Sequence, residues 1–319
     1  MKQYVDFKNV NINDHLVLSI KEAGKTVTAI KAGERVAKIT AMVLVYTFLI
    51  ALALLVIFPF YWMIITSLKT LEEITATKQT FFPTTVMWTN YVSIFQRFDF
   101  SSYMVNTVAV AIISTAGTLL TTIFAGFAFS RLKFKGRETV FAIFLMTMMI
   151  PGEMMVISNY ITVASFGWIG ANQTRWQAYA AMTVPMLVSV FYIYLLRQNF
   201  KQIPNELYLA AKVDGKSDWS YLWKVMVPLA APTLISITIL KFMGTWNAYV
   251  WPKLVANDEY SLISVGLRGS AFTNIDLGGT VEYGYRMAAS FVVTVPLFLL
   301  FIFFRKYIMR GVGRAGIKG

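Results

Sequence analysis

The sequence predicts an all-α, polytopic membrane protein with six transmembrane helices, and three observations carry that reading. Apolar residues make up 57% of the 319 and charged residues 14%, with a mean hydropathy of +0.58, which is more apolar surface than one soluble core can bury. Six stretches stay largely apolar over about 20 residues, the length a helix needs to cross roughly 30 Å of hydrocarbon. Lysines and arginines crowd alternate connections between those stretches. Backbone amides in lipid need internal partners, and the connections vary too much for a barrel, so each span is helical.

The first span, 39–66, is the cleanest apolar run and carries Phe58-Pro59-Phe60-Tyr61-Trp62 in its outer half. The second covers 103–130. The third, 139–162, is interrupted by Pro151-Gly152, where the helix should unwind and open backbone groups to a lumen. The fourth is expected at 178–196, the fifth at 225–245 and the sixth at 287–307. Basic residues concentrate before the first span, between the second and third (Arg131, Lys133, Lys135, Arg137), between the fourth and fifth (Arg197, Lys201, Lys212, Lys216, Lys224), and in the tail. By the positive-inside rule both termini are cytoplasmic, which is self-consistent with six spans. The same distribution accounts for the net charge of +13 without nucleic acid.

Domain boundaries follow: a cytoplasmic N-terminal segment at 1–38, a transmembrane domain at 39–308 and a cytoplasmic tail at 309–319. The N-terminal segment is charged throughout and has no signal-peptide apolar core. Leu16, Val17, Ile20, Val27, Ile30 and Val36 alternate with lysines, which suits an interfacial helix on anionic lipid and equally a basic tail. With zero cysteines and a single histidine, His15, the sequence offers no disulfide or thiolate metal site and little histidine chemistry. No cofactor and no catalytic constellation is expected.

Between the fourth and fifth spans lies a polar island, Ile203 to Gly215, followed by a tryptophan-rich run to Pro228. Pro204 suits a helix start and Gly215 a helix stop. Leu207, Ala210, Ala211 and Asp214 fall at helical spacing, so small residues form a flat face that another protein's backbone can approach. Ser217 can cap a second short helix whose Trp219, Tyr221, Leu222 and Trp223 are expected at the membrane interface.

The pattern Ala210-Ala211, three residues, Gly215, with Asp214 before the glycine and Pro228 closing the element, resembles the cytoplasmic "EAA" loop of binding-protein-dependent ABC importer permeases. Further matches are Ser67-Leu68-Lys69, Asn90-Tyr91, Asn106-Thr107, the run Ala125 to Arg131, Gly244-Thr245-Trp246-Asn247 with Trp251-Pro252, and the closing Arg310-Gly311. Together they span roughly 39–319 and resemble the shorter, six-span subunit of carbohydrate importers of the maltose-permease kind. The resemblance implies the type I ABC importer permease fold and a bacterial inner (cytoplasmic) membrane location. It implies a second permease subunit as heterodimer partner, two ATP-binding subunits and an extracytoplasmic sugar-binding protein. It also assigns ATPase coupling to Glu206, Leu207, Leu209, Ala210, Ala211, Asp214 and Gly215. The family's glutamate before the alanine pair is Leu209 here, so coupling is expected through shape and Asp214. An exposed ion pair contributes only about 0–1 kcal/mol, so its absence is tolerable.

Two glycine motifs point toward nucleotide chemistry and fail on context. Gly24-Lys25-Thr26 ends like a P-loop but has Ser19 where the first glycine is needed. Gly311, Gly313 and Gly316 close the chain with no strand before them. ATP hydrolysis is therefore expected in a separate subunit, and this chain is expected to be non-catalytic.

For the substrate pathway the sequence offers Glu153 beside the Pro151-Gly152 break, Asn159, Tyr160 and Tyr192 as polar or aromatic groups, and Trp246 with Asn247 at the end of the fifth span. Tyr194 is of the same kind. Lys241, inside the fifth span, reads first as interhelical glue. The rival class is an ion-coupled secondary transporter, which needs intramembrane carboxylates; Glu153 alone qualifies.

Overall fold

A computed structural model describes residues 12–97, 99–269, 273–274 and 280–313. The tail from 314 onward, with Gly316, and residues 1–11 lie outside the described residues. The chain divides into two units, Met1–Trp62 and Met63–Gly319. Helix α1, Ile12–Ser67, accounts for the described residues of the first unit and continues into the second; it passes through position 38 without a break and is apolar enough to cross a membrane over Ala37–Ser67.

Among the described residues, the regular elements of the second unit are helices apart from a two-residue antiparallel ladder. After α2 (Leu71–Thr75) and α3 (Thr89–Arg97) comes α4, Phe100–Ser130, capped by Asp99, whose carboxylate accepts from Ser102 N at 3.4 Å. Then follow α5 (Arg137–Thr147), a 3₁₀ turn (Gly152–Met155) and α6 (Val156–Ser165). Helix α7, Arg175–Thr183, opens on a capping box between Thr174 and Gln177, and α8 is Val190–Gln202. The segment between the fourth and fifth spans holds α9 (Asn205–Val213), α10 (Asp218–Tyr221), a π-helical turn (Leu222–Met226) and α11 (Val227–Leu229). It leads into α12 (Ala231–Trp246), α13 (Val250–Val255) and α14 (Ile263–Arg268). Strands β1 (Thr273–Asn274) and β2 (Thr280–Val281) pair, and α15, Tyr283–Gly313, closes the chain.

Among the described residues only α1, α4 and α15 are unbroken helices of spanning length. The other three spans are bent pairs: α5 with Gly152–Ser165 by 90°, α7 with α8 by 55°, and α10–α11 with α12 by 78°. The first break falls at Pro151 as expected. The other two correct the expectation of single helices at 178–196 and 225–245. Proline lacks an amide donor and its ring clashes with the carbonyl four residues earlier, so Pro185, and Pro228 with Pro232, stop the regular ladder.

Helix α4 is the axis of the second unit and packs against both α8 and α12. Toward its C-terminal end Ile123 and Phe127 join Leu196, Phe200, Tyr221, Leu222 and Met226 in one cluster. Tyr221 and Leu222 are therefore core residues, against the expectation of an interfacial position. The π turn explains this, because residues five apart share a face in i→i+5 geometry, which sets Tyr221 and Met226 on one side. Trp219 alone stays exposed, stacked on Phe124 at 5.8 Å.

Phe200 is fully buried and Phe298 is 62% exposed on α15. Phe200→Ala is expected to cost about 3 kcal/mol or more by leaving a cavity, while Phe298→Ala shifts stability much less. Thermal melting of the detergent-purified protein measures the difference.

Candidate functional site

Two places are candidates for function: the helical hairpin of α9 and α10 and a cavity inside the bundle.

Helix α9 buries none of its residues and follows Pro204, whose fixed φ of −56° sets the entry. Its exit is a Schellman turn. Gly215 sits at φ +69°, its amide donates to Lys212 O at 3.0 Å, and Lys216 N donates to Ala211 O at 2.8 Å. Tyr208 turns inward, donates to Asp218 Oδ1 at 2.8 Å and meets Tyr221 edge-on at 5.1 Å. Lys212 closes the triangle on Asp218 at 2.8 Å. That bond raises the Lys212 pKa above its ordinary value, and burial, with Asp218 second, raises that of Tyr208.

The outer face of α9 is left open. Leu209 is 55% exposed, and Glu206, Leu207, Ala210, Asp214 and Gly215 are also exposed, while Ala211 is half-buried. Leu207, Ala210, Ala211 and Asp214 line a groove of about 250 Å³ whose far wall includes Tyr221 and Lys224. The structure thus gathers the predicted coupling residues on one short helix, with Leu209 presenting an apolar surface.

Arg131, which the sequence marks as a basic loop residue and as the end of the Ala125–Arg131 run, anchors this hairpin. From the end of α4, its Nη2 donates to Phe200 O at 2.8 Å and also to Ile203 O, and Nη1 reaches Asn205 Oδ1 at 3.4 Å. Arg197 does comparable work one helix away. It is buried, lies over the Phe141 ring at 3.9 Å and pairs with Glu138 at 2.6 Å.

The cavity, about 420 Å³, opens between α4, α8 and α12 beside the break after Pro185. Of the six predicted pathway residues only Tyr192 lines it. Glu153 is exposed in its 3₁₀ turn; its carbonyl accepts from Val156 N, and its carboxylate makes no hydrogen bond or ion pair with the described residues. Asn159 is half-buried and Tyr160 is 38% exposed, both on α6 away from the cavity. Trp246 is enclosed with Ile94, Phe100 and Ile263 and stacks on Phe242 at 5.6 Å. Asn247 ends α12, donating to Met243 O at 2.9 Å. Tyr194 packs with Phe129 and Phe141.

Besides Tyr192, the cavity's polar lining is Lys241, which the sequence suggests as interhelical glue, Thr245 of the Gly244–Asn247 motif, and Ser114 and Ser189, which no sequence motif marks. Lys241 donates to Met186 O at 2.9 Å, where Pro185 has broken the helix. Thr121 donates to Leu187 O at 2.8 Å at the same break. A serine and threonines at four-residue spacing, Ser114, Thr118 and Thr122, are the signal that could have revealed the inner face of α4.

Other quoted motif residues fix loops. Asn106 donates to Glu259 O at 3.1 Å and accepts from Tyr179 at 2.7 Å, and Thr107 accepts from Ile263 N at 2.9 Å. Asn90 donates to Ser67 O at 2.8 Å, and Trp251 to Ala181 O at 3.1 Å.

Residues 117–314, which hold α9 to α12 and all of the cavity's lining except Val110 and Ser114, match the family described as binding-protein-dependent transport system inner membrane component. The chain belongs to that family. It is thus a multi-pass inner-membrane permease component of ABC transporters. The permease is 32% identical to the lactose transport system permease protein LacG of Rhizobium radiobacter, over 83% of this chain and 93% of that one. It is 29% identical to the trehalose/maltose transport system permease protein MalG of Thermococcus litoralis, over 85% and 94%. Its fold matches a bacterial ABC transporter that imports the acidic polysaccharide alginate, with a TM-score of 0.72 and 23% identity over 86% of this permease and 98% of that chain.

Hydrogen bonds from a charged donor contribute about 1.5–3 kcal/mol, and exposed ion pairs about 0–1 kcal/mol. Arg131→Ala is therefore expected to speed amide exchange in 205–213 by about tenfold or more. Lys212→Ala should change it by less; hydrogen-exchange mass spectrometry of the two variants checks the order.

Proposed function

We propose that this permease is the six-span subunit of an ATP-driven sugar importer. It pairs with a second permease, receives a sugar or oligosaccharide from an extracytoplasmic binding protein, and is driven by two separate ATPase subunits. The observation that carries the reading is α9, an exposed helix with an alanine face, tied to the bundle by Arg131 and to its own hairpin by Asp218. A helix braced on one side and open on the other suits the transfer of rigid movement from a docked subunit. The lactose and trehalose/maltose systems named for its relatives support a saccharide as cargo.

In this reading both termini are cytoplasmic. The binding protein meets the loops at 72–102 and 251–285, and Glu206, Leu207, Leu209, Ala210, Ala211, Asp214 and Gly215 face the ATPase. Leu209 contributes apolar contact where related loops carry a glutamate. ATP-driven closure of the ATPase pair turns the permease pair outward, giving alternating access.

The test is uptake by the reconstituted complex. Saccharide uptake should require ATP and the ATPase subunits, and uptake driven by an ion gradient alone would refute the importer. Gly215→Val puts a β-branched residue at a left-handed φ, costing about 1–2 kcal/mol or more, and Ala211→Trp blocks the groove. Each is expected to abolish co-purification of the ATPase while membrane insertion stays normal.

A further inference from the structure

We propose that the cavity beside Lys241 is a subsite for a sugar carboxylate, so that the saccharide this permease moves is an acidic one. The inference rests on the importer reading and deepens it by naming the substrate class.

The chemistry of the lining carries the argument. Lys241 is the charged residue among the cavity's lining side chains, and no aspartate or glutamate lines it. One proton of its ammonium goes to Met186 O. An ammonium has three donors, so two remain. Among the described residues no carboxylate pairs with Lys241; the ion pairs there gather on Glu138 and Asp218, in other parts of the fold. A half-buried cation without a counter-ion, set inside a bundle of membrane spans, marks a place where an anion gains by entering. A carboxylate bound there makes charge-assisted hydrogen bonds, a neutral sugar forfeits them, and a cation is repelled.

The rest of the lining is suited to a sugar ring. The hydroxyls of Ser114, Tyr192 and Thr245 form no hydrogen bond within the described residues and face the same space as Lys241. Trp251 and Tyr192 add flat apolar faces of the kind that stack on a pyranose. Its volume, about 420 Å³, lies within the roughly 300–1,000 Å³ usual for small-molecule sites. A fixed cation, free hydroxyls and aromatic faces together fit a hexuronate better than a neutral hexose or a metal ion.

The assembled complex, with its binding protein, ATPase subunits and second permease, tests this with trigalacturonate as probe. Activation of the probe's carboxyl by a water-soluble carbodiimide should form an amide with Lys241 Nζ, located by mass spectrometry. Unactivated trigalacturonate should suppress the label, and neutral galactotriose should not. In proteoliposomes, ATP-driven uptake of trigalacturonate should fall about tenfold or more in Lys241→Gln, the loss of a charge-assisted bond, and largely survive in Lys241→Arg. An unlabelled Lys241, a Lys241 joined instead to a carboxylate of the second permease, or equal trigalacturonate uptake by K241Q overturns the subsite. If neutral saccharides are still imported with ATP in that case, the importer reading stands without it. If no saccharide is imported, the importer reading falls as well.

Discussion

Hydrocarbon supplies no water to a broken helix, and the interior of this permease is organised around that constraint. Each proline that bends a span frees carbonyls, and an unpartnered carbonyl in lipid costs several kcal/mol. At the Pro185 break the partners come from two neighbouring helices: Thr121 on α4 takes Leu187 O, and Lys241 on α12 takes Met186 O. The bend and its partners together hold α4, α8 and α12 apart enough to leave a cavity. A straight fourth span would need no lysine there and would leave no space.

The end of the bundle that carries α9 follows the same logic with charge in place of hydroxyls. The chain leaves α8 at Gln202 and re-enters helix at Asn205, so the carbonyl of Ile203 falls in the gap and that of Phe200 otherwise holds only the Ile203 amide, at 3.3 Å. Arg131 takes both, and a planar guanidinium with five donors can hold two carbonyls and an asparagine at once where a lysine would not match the geometry. The hairpin beyond is braced internally by Tyr208, Lys212 and Asp218, leaving its alanine face clear.

Local chemistry was readable from the sequence at several places where the cause was also local, though the equally local breaks at Pro185 and Pro228 were not foreseen. Pro204 and Gly215 bound α9 because entry and exit depend on φ at single residues, and Ser217 caps α10 by a bond to Ser220 three positions on. The Pro151-Gly152 break was legible for the same reason. What the sequence did not disclose depends on contacts across the bundle. Lys241 finds its carbonyl 55 positions earlier, and Asn106 finds its own more than 150 positions later. Trp246 has the side chain a sugar site would use, yet burial among Ile94 and Phe100 makes it a packing residue. Tyr221 and Leu222 were misread because the π turn changes which positions share a face. The cavity hydroxyls were individually unremarkable and became a group only when α8 and α12 met α4.

Helix α4 is held at three heights. Asn106 and Thr107 fasten the segment at 259–263 near its start, Thr121 fastens the bend at its middle, and Arg131 fastens α9 at its end. With 31 residues and no break, it is a stiff strut of about 46 Å. A strut pinned at three points cannot absorb displacement by flexing, so a tilt imposed at one end moves the other in the opposite sense. The three proline-bent spans around it supply the compliance, and the permease therefore has a lever and its joints on separate helices.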